Sequence, residues 1–296
     1  MDQNHIAALA DWVVSHWDDG FKHSYSIASS HHVAWKKWRD QIQPQSPNVW
    51  WCDSLKQAAL HYSWTENGQT FESLSMTLKK TISVNDTYSC ADTCNRIFEW
   101  GGVARKKTDN SRQWIYKNQE NGQLCSKLKR AISLLRPDGL KTLIEFDGKD
   151  LLMNSAMTKV YAAADEQNQI VMYDGRVGAA LGLIVRRMLV EREETLIPDG
   201  LNFRWGAPAS NKARGLQTRD PSSRKLTFLQ LPNTSNKNDA DLTRAILSKT
   251  TNLLCKIIVD KLKSKGQIVK SSDIERALFM IGYDVRSSEQ NRGLNT

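Results

Sequence analysis

Two side chains separated by a short polar turn, Lys159 and Asp174, have the right chemistry to act on one electrophilic carbon. A lysine amine is a nucleophile that can form a Schiff base with a sugar carbon once the bond to its base breaks. A carboxylate can activate that amine or stabilise positive charge developing on the sugar. Both residues lie in MNSAMTKVYAAADEQNQIVMYDGRVGAAL, residues 153–181. Taken singly, each has a plainer reading: a surface lysine on an amphipathic helix, and an aspartate that satisfies the free amides of a helix start. A second pattern, Pro137-Asp138 followed by Asp147-Gly148-Lys149, imitates a metal-dependent nuclease, in which two carboxylates hold Mg²⁺ and a lysine polarises water. That chemistry needs adjacent strands, whereas Asp138-Gly139 and Asp147-Gly148 read as turns. His16 and the pair His31-His32 have no ligand partners, and no GxSxG, phosphate-loop or dinucleotide pattern occurs.

The elements that must position the pair are mostly helical. Residues 138 to 165 read as two short helices joined by a tight connection around Asp147 to Ser155, with Lys159 near the start of the second. After the polar DEQNQ comes a short apolar run, Ile170 to Tyr173, and then Asp174 as N-cap of GRVGAALGLIVRRMLVE. Gly178, Ala179, Ala180 and Gly182 would let another helix approach that segment closely. A helix from about Tyr88 to Phe98 stops at Gly101-Gly102, and two more run from Asp239 to Lys263 and from Ser271 to Ile281. Between Leu55 and Thr81 the periodicity is weak, with a turn at Asn67-Gly68, and short strands fit. Residues 43–48, QPQSPN, read as a loop, and residues 201–235 as a long ordered one.

With 40% hydrophobic residues in 296, the chain can bury a substantial core. Its formal charge of +9 points to a polyanionic partner, with nucleic acid first. Residues 104–130 carry eight Lys or Arg against two acids, interleaved with Trp114 and Tyr116, a pattern suited to DNA contact as well as to a solvated face. Seven tryptophans fall before residue 65, among them Trp35 and Trp38 beside Lys36, Lys37 and Arg39; core packing is their first reading and base stacking the second. The apolar stretch Val177 to Val190 contains Arg186 and Arg187 and falls short of the ~18 apolar residues of a membrane span. The N-terminus does not read as a signal peptide, so a soluble, cytoplasmic, nucleoid-associated protein is expected. Five scattered cysteines, of which Cys90 and Cys94 share one helical face, read as buried thiols, with no structural metal.

Ala156-Met157-Thr158-Lys159-Val160 resembles the end of the hairpin and the start of the second helix in 8-oxoguanine DNA glycosylases, of the helix-hairpin-helix superfamily, where a G-V-G-T-K-V type sequence contributes the catalytic lysine. IVMYDGRV, residues 170–177, is similar to the P-V-D-x-x-V type segment that contributes the catalytic aspartate. The resemblance implies a mainly α, two-lobed architecture around a DNA-binding cleft. It would be one glycosylase-like domain over residues 1–296, with an N-terminal lobe over 1–135 and a catalytic helical lobe over 136–296. Lys159 would be the nucleophile and Asp174 its acidic partner. The protein would flip a damaged or modified nucleotide out of duplex DNA and excise its base, leaving an abasic site, with AP-lyase activity as an option. A divergent bacterial branch acting on modified viral DNA is the expected setting. No cofactor and no obligate protein partner are implied.

Expected DNA contacts are Arg105, Lys106, Lys107, Arg112, Arg176, Lys212, Arg214 and Arg219, with Trp100 and Trp205 as candidates to stack on the extruded base. The chain departs from the family pattern in three ways. Met153-Asn154-Ser155-Ala156-Met157 replaces the hairpin glycines whose amides approach a DNA phosphate, the lysine-to-aspartate interval is shorter, and Met172-Tyr173 stands where proline is expected. Two alternatives therefore stay open: a DNA-binding protein of the same fold without catalysis, and the metal-dependent nuclease.

Overall fold

The computed structural model describes residues 3–27, 49–64, 68–139, 142–207, 218–232 and 239–286. Trp35, Trp38 and their basic neighbours, His31-His32, QPQSPN, Asn67, Lys212 and Arg214 lie outside the described residues. Among the described residues the protein is mainly helical, with ten helices and one two-stranded sheet. The chain forms two compact units, one from residues 1–65, 174–231 and 257–296, the other from 66–173 and 232–256. This partition differs from the contiguous lobes 1–135 and 136–296 expected from sequence. Each core is completed by segments arriving from far along the chain, which periodicity within a short window does not report.

The unit built on residues 66–173 holds α3 (Phe71–Ser83), α4 (Thr87–Trp100), α5 (Asn110–Glu120), α6 (Leu124–Leu135) and α7 (Met157–Ala164). Thr70 and Asp86 cap α3 and α4, accepting from the amides of Ser73 and Ser89. In α6 the buried residues Leu124, Cys125, Leu128, Ala131, Ile132 and Leu135 recur at helical spacing and form one apolar face. That face, with α3, α4 and α7, closes a core that also contains Phe146, Leu151 and Leu152. The strands allowed between Leu55 and Thr81 are replaced by helices, because Leu74, Leu78 and Ile82 follow a period of four and bury together. Of the two short helices expected over 138–165 only α7 forms. Before it, Gly148 sits at φ +78 and the Asp147 carboxylate accepts from the amides of Lys149 and Asp150 at 2.8 and 2.7 Å, which holds the chain in turns.

The other unit holds α1 (Gln3–Ser15), the antiparallel strands β1 (His23–Ser26) and β2 (Val49–Cys52), α2 (Leu55–Leu60), α8 (Gly175–Glu191) and α10 (Ser271–Ile281). Helix α10 packs on α2 and α8, and α1 packs on α8. Tyr25 is stacked between Trp50 and Tyr283, with ring centroids 4.9 and 5.0 Å away, and its hydroxyl donates to the Met280 carbonyl at 2.8 Å. Trp12, Trp17 and Trp50 are buried, so these tryptophans are core residues. Gly182 on α8 faces a loop and not another helix: an added Cβ would meet Pro221 Cγ at 2.4 Å. The remaining helix, α9 (Ala240–Ser264), begins in one unit and ends in the other. No helix among the described residues is long and apolar enough to cross a membrane.

Candidate functional site

Every residue of α7 is buried, and Lys159 is only 6% exposed. It is therefore not the surface lysine of an amphipathic helix. Its Nζ donates to the Ser155 carbonyl at 3.0 Å, and its methylene arm lies across Gly101, the C-cap of α4. Gly101 has an ordinary helical φ of −77, so the position needs glycine for space and not for backbone conformation. A Cβ there would stand 2.6 Å from Lys159 Cδ and 2.8 Å from Cε. Neighbouring residues anchor the helix. Thr158 Oγ1 accepts from the Tyr173 amide at 2.9 Å, and the Tyr161 hydroxyl donates to the Leu152 carbonyl at 2.7 Å.

The turn entering α7 spends its amides on the protein's own side chains. Asn154 Oδ1 accepts from the Ala156 and Met157 amides at 2.9 and 3.0 Å, and Asn154 Nδ2 donates to Ser111 Oγ at 2.9 Å. The Met153 amide donates to the Asp241 carboxylate at 2.5 Å, whose pKa burial raises. Buried amides are nearly always paired, and here asparagine and aspartate do what a glycine hairpin would leave to a ligand. Beyond α7, the fully buried Asp165 carboxylate receives Arg136 Nε at 2.8 Å and the amides of Gln169 and Ile170 at 2.7 and 3.1 Å. Asn252 accepts from the Val171 amide at 3.0 Å and donates to the Leu135 carbonyl at 2.9 Å. Side chains, not a helix or a sheet, thus hold the run 170–173.

In the other unit, Asp174 is the N-cap of α8 with an extended backbone, and its Oδ1 accepts from the amides of Arg176 and Val177 at 2.8 and 3.1 Å. A capping carboxylate complements the helix dipole and holds its own orientation. The backbone around this first turn is closely packed. A Cβ on Gly175 would stand 2.7 Å from Gly206 Cα, and one on Gly282 would stand 2.0 Å from the Arg176 carbonyl oxygen. The Arg176 guanidinium lies over the rings of Phe279 and Tyr283, 4.5 and 5.3 Å from their centroids. Arg219 reaches the same place from a distant loop, with Nη1 3.4 Å from the Gly206 carbonyl. Burial, and then the positive charge of Arg176, lower its pKa to about 10, with Asp174 opposing.

Asp174, Arg176 and Arg219 are thus brought together in one unit, and Lys159, Gly101 and Trp100 in the other. Arg105, Lys106 and Lys107 are exposed, as a phosphate-binding surface requires. Arg112 is not: it is buried, with Nε donating to the Ala104 carbonyl at 2.7 Å, Nη1 to Asn95 Oδ1 at 2.8 Å and Nη2 near Glu99 at 3.3 Å. Its donors tie α5 to α4, a structural duty hidden inside a run of charges. Trp205 is 2% exposed and its Nε1 donates to the Phe228 carbonyl at 3.0 Å, which makes it a core residue and not a stacking platform. Trp100 is partly buried and packs on Phe71 with centroids 4.8 Å apart. Sequence reasoning took Gly101 only as a helix stop and overlooked Gly206, Gly282, Phe279 and Tyr283. The adjacent Trp205-Gly206 and Gly282-Tyr283 pairs carried the only local signal. Among the described residues no group of three or more His, Cys, Asp or Glu could hold a metal ion, and the Asp138 and Asp147 pattern lies in turns. No family model matches the chain, and neither a curated protein nor a solved structure matches it.

Proposed function

We propose that this protein is a DNA glycosylase of helix-hairpin-helix, 8-oxoguanine-glycosylase-like architecture that excises a damaged or modified base from duplex DNA and leaves an abasic site. Lys159 serves as the nucleophile and Asp174 as its acidic partner. The observation that carries this reading is the burial of Lys159 in an entirely buried helix. Lysines are almost never buried without a reason, because desolvating the amine costs stability. A lysine amine can attack a sugar carbon as a nucleophile, and the contact with the Ser155 carbonyl fixes where this one sits. The formal charge of +9 and the exposed Arg105, Lys106 and Lys107 support a polyanionic partner.

One observation favours a second reading, a DNA-binding protein of the same fold without catalysis: the amides of Met153, Ala156 and Met157 are already occupied. Borohydride trapping on a duplex containing an abasic site separates the two. A covalent adduct that disappears in Lys159→Ala supports the glycosylase. Absence of both the adduct and any abasic-site formation on a panel of modified duplexes leaves the binding protein. Strand cutting abolished by EDTA would instead point to a nuclease.

A further inference from the structure

We propose that Arg176 and Arg219 form a preorganised site for one phosphate group beside the start of α8. For the source of that phosphate, a nucleic-acid backbone, the proposal rests on the reading above; the site itself does not.

The Arg176 guanidinium carbon lies 4.5 and 5.3 Å from the centroids of the Phe279 and Tyr283 rings, which position its N–H donors. Among the described residues those donors meet no hydrogen-bond acceptor. Arg219 Nε is buried and likewise without an acceptor among the described residues, and Nη1 has only the long 3.4 Å contact to the Gly206 carbonyl. Two cations therefore lie close enough to repel one another, and the carboxylate that opposes them, Asp174, has its Oδ1 committed to the amides of α8. Burying a guanidinium N–H without an acceptor, as at Arg219 Nε, is costly. Its depressed pKa records that cost, yet it stays charged at neutral pH.

An oxyanion relieves the repulsion and supplies an acceptor for Arg219 Nε, and the fork of a guanidinium matches two oxygens of a phosphate. The close backbone contacts among Gly175, Gly206, Gly282 and Arg176 hold the two arginines in place before any ligand arrives. The turn before α7, where the resembled family offers amides to phosphate, has spent them on Asn154 and Asp241. Side-chain cations at α8 supply a phosphate contact that this turn does not.

The test uses the whole chain in phosphate-free buffer, with inorganic phosphate and an unmodified duplex as separate probes. Phosphate is expected to raise the unfolding midpoint and to slow hydrogen exchange at the Phe279 to Tyr283 amides in the unsubstituted chain. Arg219→Gln and Arg176→Gln are each expected to weaken phosphate binding about tenfold or more, and Arg219→Lys, which keeps the charge but not the fork, to weaken it less. With the duplex, each glutamine variant should flatten the salt dependence of log K by about one. Loss of phosphate binding with an unchanged duplex slope keeps the site and makes free phosphate its ligand. Unchanged exchange in the unsubstituted chain, or wild-type phosphate binding in both glutamine variants, overturns it. Abasic-site formation is followed in parallel. Excision with no phosphate site sinks this proposal alone, and a phosphate site with no excision sinks the glycosylase reading alone.

Discussion

Replacing Gly101 with alanine should move the Lys159 amine without altering Lys159 itself. The backbone at Gly101, φ −77 and ψ −6, suits any residue, and losing a glycine from the unfolded chain contributes up to ~1 kcal/mol of stability. The new methyl group would sit 2.6 Å from Lys159 Cδ and 2.8 Å from Cε. Carbon atoms normally approach to about 3.5–4.0 Å, so the overlap is roughly 1 Å. The other close neighbour, the Ile97 carbonyl oxygen at 3.3 Å, is a tight contact that can relax. The lysine arm is the softest object present, and an off-rotamer shift costs it only ~0.5–1.5 kcal/mol. It therefore swings away, and its Nζ leaves the Ser155 carbonyl. A reacting atom misplaced by about 1 Å loses on the order of 10²-fold in rate. The assay is the rate of borohydride-trapped adduct on abasic duplex, with Lys159→Ala as the blank, alongside thermal unfolding. The expected result is an adduct rate down about 10²-fold with a melting point within about 3 °C of wild type. A Gly101→Ala protein that traps at the full rate would refute the claim that this contact aims the amine.

Lys159→Met fills a similar volume without a buried amine, so its unfolding midpoint should equal or exceed that of wild type while the adduct is lost; a large fall in urea midpoint would show that the amine serves structure. Asp174→Asn keeps a good helix cap, so stability should fall by less than ~0.5 kcal/mol, whereas Asp174→Ala should cost ~1 kcal/mol. Base excision should drop on the order of 10²-fold in the asparagine variant, and intact excision there would remove Asp174 from the chemistry. The pH dependence of stability should carry the signature of His23, whose pKa burial, followed by the Arg187 charge, lowers from 6.5 to about 4. Because the folded form binds this proton more weakly than the unfolded form, the contribution is fully present above pH 6.5. It is lost as the pH falls towards 4, by up to ~3 kcal/mol. Urea titrations of wild type and His23→Gln between pH 7 and 4 test this; identical pH slopes in both would contradict it.

Much of the secondary structure could be read from local pattern. The bounds expected for α9 and α10 came within a residue of those observed, and α4 stops at Gly101 as its sequence indicates, because caps and apolar periodicity act within a few residues. The segment before α7 misled in part: Asp147 and Gly148 hold turns as their residue types indicate, but residues 142–146, expected to belong to a helix before them, are not helical. Arg112 misled for a related reason: a charged residue in a basic run looks solvated until Asn95, Ala104 and Glu99 are folded around it.

The sequence by itself determined that Asp174 would cap a long helix, that Lys159 would lie near the start of another, and that the chain would be helical and strongly basic. Only the tertiary structure decided that Lys159 would be buried against Gly101 and that Arg219 would come to rest beside Arg176. Capping and helical periodicity are settled between residues three or four apart. Burial and charge pairing depend on which distant segments pack together, and that choice belongs to the free energy of the whole fold.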